Sequence, residues 1–259
     1  MSTIVRAISP RTSYKSMPSD MDMPEGKELL HELTATTTHK EHTLDYQQWL
    51  PFAAQKYNIS KHIEDYVIVN TPMIPSDIPN RNGIGFPLHE LVTFRPPPIN
   101  RLMYKSWIGC PTHEEHDQAK DDQDLAYKAL GIILDTSLLR ITNYGNGRHY
   151  MVTALLAFDK NKFPERVQEI ANGNVNTYSM GATCSYFTCG MSGVRLDDPR
   201  YAYRMAKPME FGLVTDPLSM QETLMYRNAH ELTAHECSTV RDPAWAPALS
   251  NLVYDLSTD

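Results

Sequence analysis

The dipeptide Asn146-Gly147 stands between two β-prone runs, residues 139–143 and 149–158, and commits that stretch to a hairpin. Asn-Gly supplies the positive φ angles of a type I′ turn, whose twist matches that of two antiparallel strands. The flanking sequence repeats the theme. Tyr66-Val-Ile-Val-Asn reads as a strand stopped by Thr71-Pro72, and Ala129-Leu-Gly-Ile-Ile-Leu-Asp as a buried strand. Residues 175–186 are strand-like, and residues 236–240 form a last short strand ended by Asp242-Pro243. Between Pro75 and Gly85 the turn signals Pro79-Asn80 and Asn82-Gly83 mark a loop. Helices are fewer. Pro164 suits a first helical position, opening a short amphipathic helix over residues 164–171 with Gly173 as its stop. Two more are expected at residues 26–33 and 45–57. Strands and helices do not alternate regularly enough for a doubly wound sheet, and no solenoid or propeller repeat is visible. The expected fold is a β-rich α+β chain: a closed β-barrel with peripheral helices and an N-terminal extension.

That extension, residues 1–63, differs in composition from the barrel domain expected over residues 64–259. Residues 9–22 are rich in Ser, Pro and Met, and residues 34–42 form a polar Thr/His/Lys tract. Such a segment buries little and suits an arm along a partner, or a propeptide. The formal charge of −7, with no basic cluster, excludes nucleic acid as the main partner. No apolar run approaches the roughly 18 residues of a membrane span, and Met1-Ser-Thr-Ile-Val-Arg lacks a signal peptide's apolar core. Four cysteines in 259 residues do not make a disulfide scaffold, so a reducing cytosol is the expected setting.

Hydrolytic chemistry needs an exposed hydroxyl, a base within reach, an orienting group and donors for an oxyanion. Ser179, in Asn176-Thr-Tyr-Ser-Met-Gly-Ala-Thr, is followed by small residues that leave room for a substrate backbone. The amides of Met180 and Gly181 are the oxyanion candidates there. A serine beside a turn glycine is also a common structural feature. His116 lies in Cys110-Pro-Thr-His-Glu-Glu-His-Asp-Gln, where Glu114, Glu115 and Asp117 favour a protonated ring. His116 taken alone reads first as a solvated loop histidine, and His113 and His116, three apart, could instead be metal ligands on a helix face. His235-Glu-Cys-Ser-Thr-Val-Arg-Asp-Pro-Ala-Trp offers an imidazole, a carboxylate and an arginine. Its plain alternative is an edge strand running into a turn.

Taken in order, these segments resemble the prohead (head maturation) serine proteases of tailed phages, relatives of the herpesvirus assemblin proteases. The resemblance covers roughly residues 66–252 and starts at Pro79-Asn-Arg-Asn-Gly and Phe86-Pro-Leu-His-Glu-Leu. It continues through Tyr104-Lys-Ser-Trp-Ile-Gly-Cys-Pro-Thr-His-Glu-Glu-His, Gly131-Ile-Ile-Leu-Asp, Val175-Asn-Thr-Tyr-Ser-Met-Gly-Ala and Glu236-Cys-Ser-Thr-Val-Arg-Asp-Pro-Ala-Trp. It implies a cofactor-free closed barrel with Ser179 as nucleophile and His116 as base. Glu236 would be the third member in a Ser-His-Glu site, His235 in a Ser-His-His one, with Asp242 next in line. Strand neighbours face opposite ways, so one of His235 and Glu236 at most points into the site, and Glu236 is favoured. Arg241 would support the oxyanion through a water. One departure stands out: where related sequences carry Cys-x-x-Cys-Gly, this chain has Cys189-Gly-Met-Ser-Gly, with Ser192 in the second cysteine's place. Cys184, Cys189, His230, His235 and Cys237 have no familiar metal spacing, and no metal is expected.

The implied function is a serine endopeptidase that cleaves scaffold and major capsid proteins, and itself, inside the phage prohead within the host cytoplasm. The alternative is a virion structural or minor capsid protein on the same barrel, its N-terminal arm lying along a neighbour; a metal-binding interaction module is a weaker third. A homo-oligomer is compatible with either of the first two.

Overall fold

The computed structural model describes residues 3–7, 40–116, 122–141, 149–190, 192–198, 212–215, 222–245, 247–250 and 252–255. The strands are β1 Thr3–Ala7, β2 Tyr66–Pro75, β3 Ile84–Gly85, β4 Phe94–Arg95, β5 Arg101–Leu102, β6 Pro111–Thr112, β7 Gly131–Ile141 and β8 His149–Asp159. They continue with β9 Tyr178–Thr183, β10 Tyr186–Cys189, β11 Gly212–Thr215, β12 Glu222–Met225, β13 Arg227–His230, β14 Thr233–Thr239 and β15 Leu252–Asp255. The helices are α1 Lys40–Tyr57, α2 Leu88–Leu91, α3 Asp122–Lys128 and α4 Pro164–Ala171.

The main sheet runs β1-β15-β2-β8-β7-β6, with β10-β13-β3, β14-β9, β11-β12 and β4-β5 as smaller sheets. Its centre is the β7–β8 ladder, from Gly131 opposite Phe158 to Ile141 opposite His149. The expected hairpin is therefore present, although its Asn-Gly connection lies outside the described residues. The two strands read over residues 129–135 and 139–143 are one. Register shifts between Ile133 and Asp135, where the Asp135 carboxylate accepts from the Thr136 amide and Lys105 Nζ, each at 2.7 Å. Thr71-Pro72 does not stop β2 either. Proline lacks an amide proton, so the ladder to β8 shifts between Pro72 and Ile74 and then resumes.

Both faces of this sheet are covered, which is why its strands read as nearly continuous apolar runs rather than strict alternation. Val67, Val69, Leu156 and Phe158 face a core that also holds Trp107 and Tyr178. Tyr66, Ile132 and Ala157 face the opposite way, against Leu50, Ala54 and Tyr57 of α1. The helix read over residues 45–57 thus packs on the sheet instead of standing off as part of an arm; the one read over 26–33 lies outside the described residues. Helix α4 matches its expected bounds, buries Val167 and Ile170, and ends at Gly173 with φ +73°. No helix among the described residues is long and apolar enough to cross a membrane.

The smaller sheets curl the main one. Beyond β6, residues 113–115 run beside β14: Thr239 N–H donates to His113 O at 2.9 Å and Glu115 N–H to Thr239 O at 2.8 Å. The other edge of β14 pairs with β9. The outer edge of β9 meets the segment leading into β15, through Tyr178 N–H to Ala248 O at 2.9 Å and Ser250 N–H to Asn176 O at 2.8 Å. The result is a β-rich α+β fold with a curled, half-barrel sheet and few helices. Among the described residues the ladders do not close into a ring, so the closed barrel expected from the sequence is met only in this coarser form.

Candidate active site

Strand pairing decides which side chains share a face. Tyr178 is fully buried in the core, and side chains alternate along β9, so Ser179 faces the other way. Residues directly opposite in an antiparallel pair lie on the same face. Ser179 is opposite Ser238 and Gly181 is opposite Glu236, so these four positions form one patch; Met180 and the buried Cys237 lie behind it. Ser179 is half-buried and borders a small cleft with Met73, Phe86, Ala244 and Trp245.

His116 reaches this patch from the far edge of β14. After Glu115 the chain turns through two left-handed residues, Glu115 at φ 53° and His116 at φ 54°. Non-glycine residues adopt this conformation only where their surroundings hold them. The Glu115 carboxylate supplies such a hold by accepting from the Arg241 amide at 3.1 Å. The turn brings His116 Nδ1 to 2.7 Å from Glu236 Oε1. The second Glu236 oxygen accepts from the Ser238 hydroxyl, two residues along the same face. A β-carbon on Gly181 would lie 2.0 Å from Glu236 Oε1, so the carboxylate occupies space that only glycine leaves.

Glu236 is 14% exposed and the imidazole 40%. The hydrogen bond that the His116 ring donates to Glu236 lifts the His116 pKa above the ordinary histidine value; partial burial opposes the rise, and the charges of Glu236 and Glu115 add to it. The direction matches the expectation from the acidic loop, but the main cause is a residue 120 positions away. Glu114 is turned to Arg166 at 2.7 Å, and Asp117 lies outside the described residues.

The remaining candidates divide clearly. His235 falls at the register shift of β14, with Nε2 2.9 Å from Thr183 Oγ1 rather than at His116. Asp242 is paired with Arg81. His113 is buried at 4% exposure, unlike His116, and neither belongs to a three-residue cluster of candidate metal ligands among the described residues. The Arg241 side chain is 96% exposed and lies near Glu115, with Nε at 3.6 Å. Since the Tyr178 amide points outward to Ala248, alternation turns the Met180 amide to the same open edge and the Gly181 amide toward β14. Among the described residues the Ser179 hydroxyl has no hydrogen-bond partner. His116 and Glu236 are joined; Ser179 shares their face without being bonded to them.

Among the described residues, the five Cys and His residues weighed as metal ligands form no three-residue cluster with one another. All four cysteines are free thiols, and Cys237 lies in the core. Burial pushes the Cys110 thiol up to about 12, so it is no nucleophile near neutral pH. Sequence reading missed two features. Ser238 was legible as the residue two beyond Glu236 on one strand face. A cluster of His89, Glu90 and His230 was not, because no spacing signal links segments 140 positions apart.

Comparison with models of protein families, with curated proteins and with solved structures finds no match to this chain.

Proposed function

We propose that the chain is a serine endopeptidase of the prohead-maturation type, with Ser179 as nucleophile, His116 as general base and Glu236 orienting the base. The observation that carries this reading is the 2.7 Å contact from Nδ1 of His116 to Glu236 on the same strand face as Ser179. With Nδ1–H donated to the carboxylate, Nε2 is the nitrogen left to take a proton, as an acyl-transfer base requires.

In this scheme Ser179 Oγ attacks the scissile carbonyl carbon while its proton passes to His116 Nε2. The carbonyl becomes an oxyanion facing the Met180 amide on the open edge of β9. Collapse breaks the C–N bond, and Nε2 returns the proton to the leaving amine. Water, deprotonated by the same nitrogen, then hydrolyses the acyl-enzyme and restores Ser179. Catalytic hydrogen bonds are often long or absent before substrate binds, so the unpartnered Ser179 hydroxyl is compatible with this role. The curled sheet, with the β9 edge meeting the segment before β15, is consistent with a barrel of the herpesvirus-protease kind.

The substrates in this reading are phage scaffold and major capsid proteins inside the prohead. The test is co-expression of the chain, wild type or Ser179→Ala, with a scaffold protein, followed by mass spectrometry of the fragments. Fragments made by the wild type and absent with the variant support the protease. Identical intact scaffold in both favours a structural protein on the same fold.

A further inference from the structure

A second imidazole–carboxylate cluster lies away from this patch, where α2 meets the end of β13. Glu90 and His230 are each 8% exposed, and His89 is exposed beside them. One donor atom from each of the three lies within 4.8 Å of the others. We propose that His89, Glu90 and His230 bind a zinc-class divalent cation. The inference does not rest on the protease reading, because none of these residues belongs to β9, β14 or the His116 turn.

Around this cluster the outer contacts are already set for metal ligation. Glu90 Oε2 is held by Arg95 NH2 at 2.8 Å and by the Glu231 amide at 3.1 Å, which leaves Oε1 directed at the cluster. His230 Nε2 lies 2.8 Å from Thr188 Oγ1, and Tyr186 stacks on the ring at 4.9 Å and 7°, fixing its plane. Metal-bound imidazoles typically anchor the non-ligating nitrogen in this way, which sets the tautomer and the ring orientation.

The decisive contact is His230 Nδ1 to Glu90 Oε1, at 3.3 Å. A charge-assisted hydrogen bond here would be about 2.7–2.9 Å. Tetrahedral zinc with bonds of about 2.0–2.1 Å holds its donor atoms about 3.3 Å apart. When Nε2–H donates to Thr188, the Nδ1 lone pair and the carboxylate oxygen face each other in a buried place and need a cation between them. Two imidazoles and one carboxylate select a borderline metal such as zinc over calcium or magnesium, which prefer all-oxygen sites. His89 closes the set from the solvent side, leaving a fourth position for water. In the opposite tautomer Nδ1–H bonds Glu90 directly and no metal is held, and the experiment separates the two.

Full-length protein without a histidine tag is stripped with EDTA and titrated with zinc chloride by calorimetry, with Tm read in parallel. The expected result is about one zinc per chain and a raised Tm, because an ion bound only by the folded state stabilises it. His89→Ala, at an exposed position, should weaken zinc at least about tenfold and so reduce the Tm rise at the same zinc concentration. Glu236→Gln should leave zinc binding unchanged. No zinc binding by folded wild-type protein, or equal affinity in His89→Ala, overturns the proposal. Zinc binding lost in Glu236→Gln and kept in His89→Ala also overturns it, by moving the ion to the other pair.

Discussion

Two histidine–glutamate pairs in this molecule differ in what surrounds them. His116 and Glu236 meet at 2.7 Å on a rim where the ring is 40% exposed, and among the described residues the other ring nitrogen has no partner. His230 and Glu90 meet at 3.3 Å with side chains 11% and 10% exposed, and the other nitrogen is committed to Thr188. By hydrogen bonds alone, Thr188–His230–Glu90 is the more complete hydroxyl–imidazole–carboxylate chain. Its hydroxyl, however, belongs to a residue only 9% exposed, with no room for a peptide carbonyl. Ser179 is half-buried, has no hydrogen-bond partner among the described residues, and shares a strand face with the Glu236 that holds an imidazole with a nitrogen to spare. Access and unused bonding capacity, rather than completeness at rest, separate a site that can react from one suited to hold an ion.

The sharpest way to break this contrast is to remove each hydroxyl. Ser179→Ala should lower scaffold cleavage by on the order of 10⁶-fold with little change in Tm. Thr188→Val should leave cleavage near wild type and cost about 1 kcal/mol of stability, the usual net value of one hydrogen bond. Cleavage rates and melting curves of both variants decide it; the reverse pattern would transfer the reaction to the buried cluster.

The next effect in size concerns the carboxylate at the exposed pair. Glu236→Gln keeps the shape and loses the charge, and a fall of roughly 10⁴ in kcat/KM is expected, the scale of the amide swap in a Ser-His-Asp site. The pH profile carries an independent readout. Glu236 raises the His116 pKa, and the base works only when neutral, so wild-type activity should climb through a pKa above the ordinary value of about 6.5. The same raised pKa stabilises the fold below about pH 6.5, a contribution lost as pH rises through the folded value. In the Gln variant the acidic limb of residual activity should move to lower pH. A limb that stays put would mean that Glu236 does not govern His116.

Much of this was legible in the sequence, and the gaps have physical causes. The hairpin and α4 follow from local rules: Asn-Gly and Pro at the first helical position. The extent of β2 did not, because a bulge absorbs Pro72 and only the partner strand reveals it. Gly181 was read as space for a substrate; the structure shows it as space for the Glu236 carboxylate, a contact between strands that no single segment discloses. The His89–Glu90–His230 cluster was invisible for the same reason.

Gly181 offers a smaller but specific perturbation. With a β-carbon 2.0 Å from Glu236 Oε1, Gly181→Ala must push the carboxylate away from His116. Displacing a positioning group by about an ångström is expected to cost on the order of 10² in kcat/KM. Unlike Glu236→Gln, this variant retains the negative charge, so part of the elevation of the His116 pKa should survive. A ¹⁵N-edited titration of the imidazole reads that directly. Wild-type activity together with a wild-type titration would mean that β9 and β14 do not pack as described.

The smallest effect is expected at Arg241, which the sequence offered as an oxyanion partner. Its side chain is 96% exposed, and its one described side-chain contact is Nε to Glu115 at 3.6 Å. The contact that steadies the left-handed turn at residues 115–116 is made by the Arg241 main-chain amide, and Arg241→Ala keeps it. The variant should therefore stay within about twofold of wild-type kcat/KM and within about 0.5 kcal/mol in stability, as surface changes usually do. Glu115→Ala removes the acceptor instead. It frees the amide, loosens the turn that delivers His116, and should reduce kcat/KM more than Arg241→Ala does. Measuring the two side by side separates the roles of main chain and guanidinium. A loss near 10² for Arg241→Ala, the size found when an oxyanion donor is removed, would mean that the guanidinium swings onto the reacting carbonyl once substrate binds.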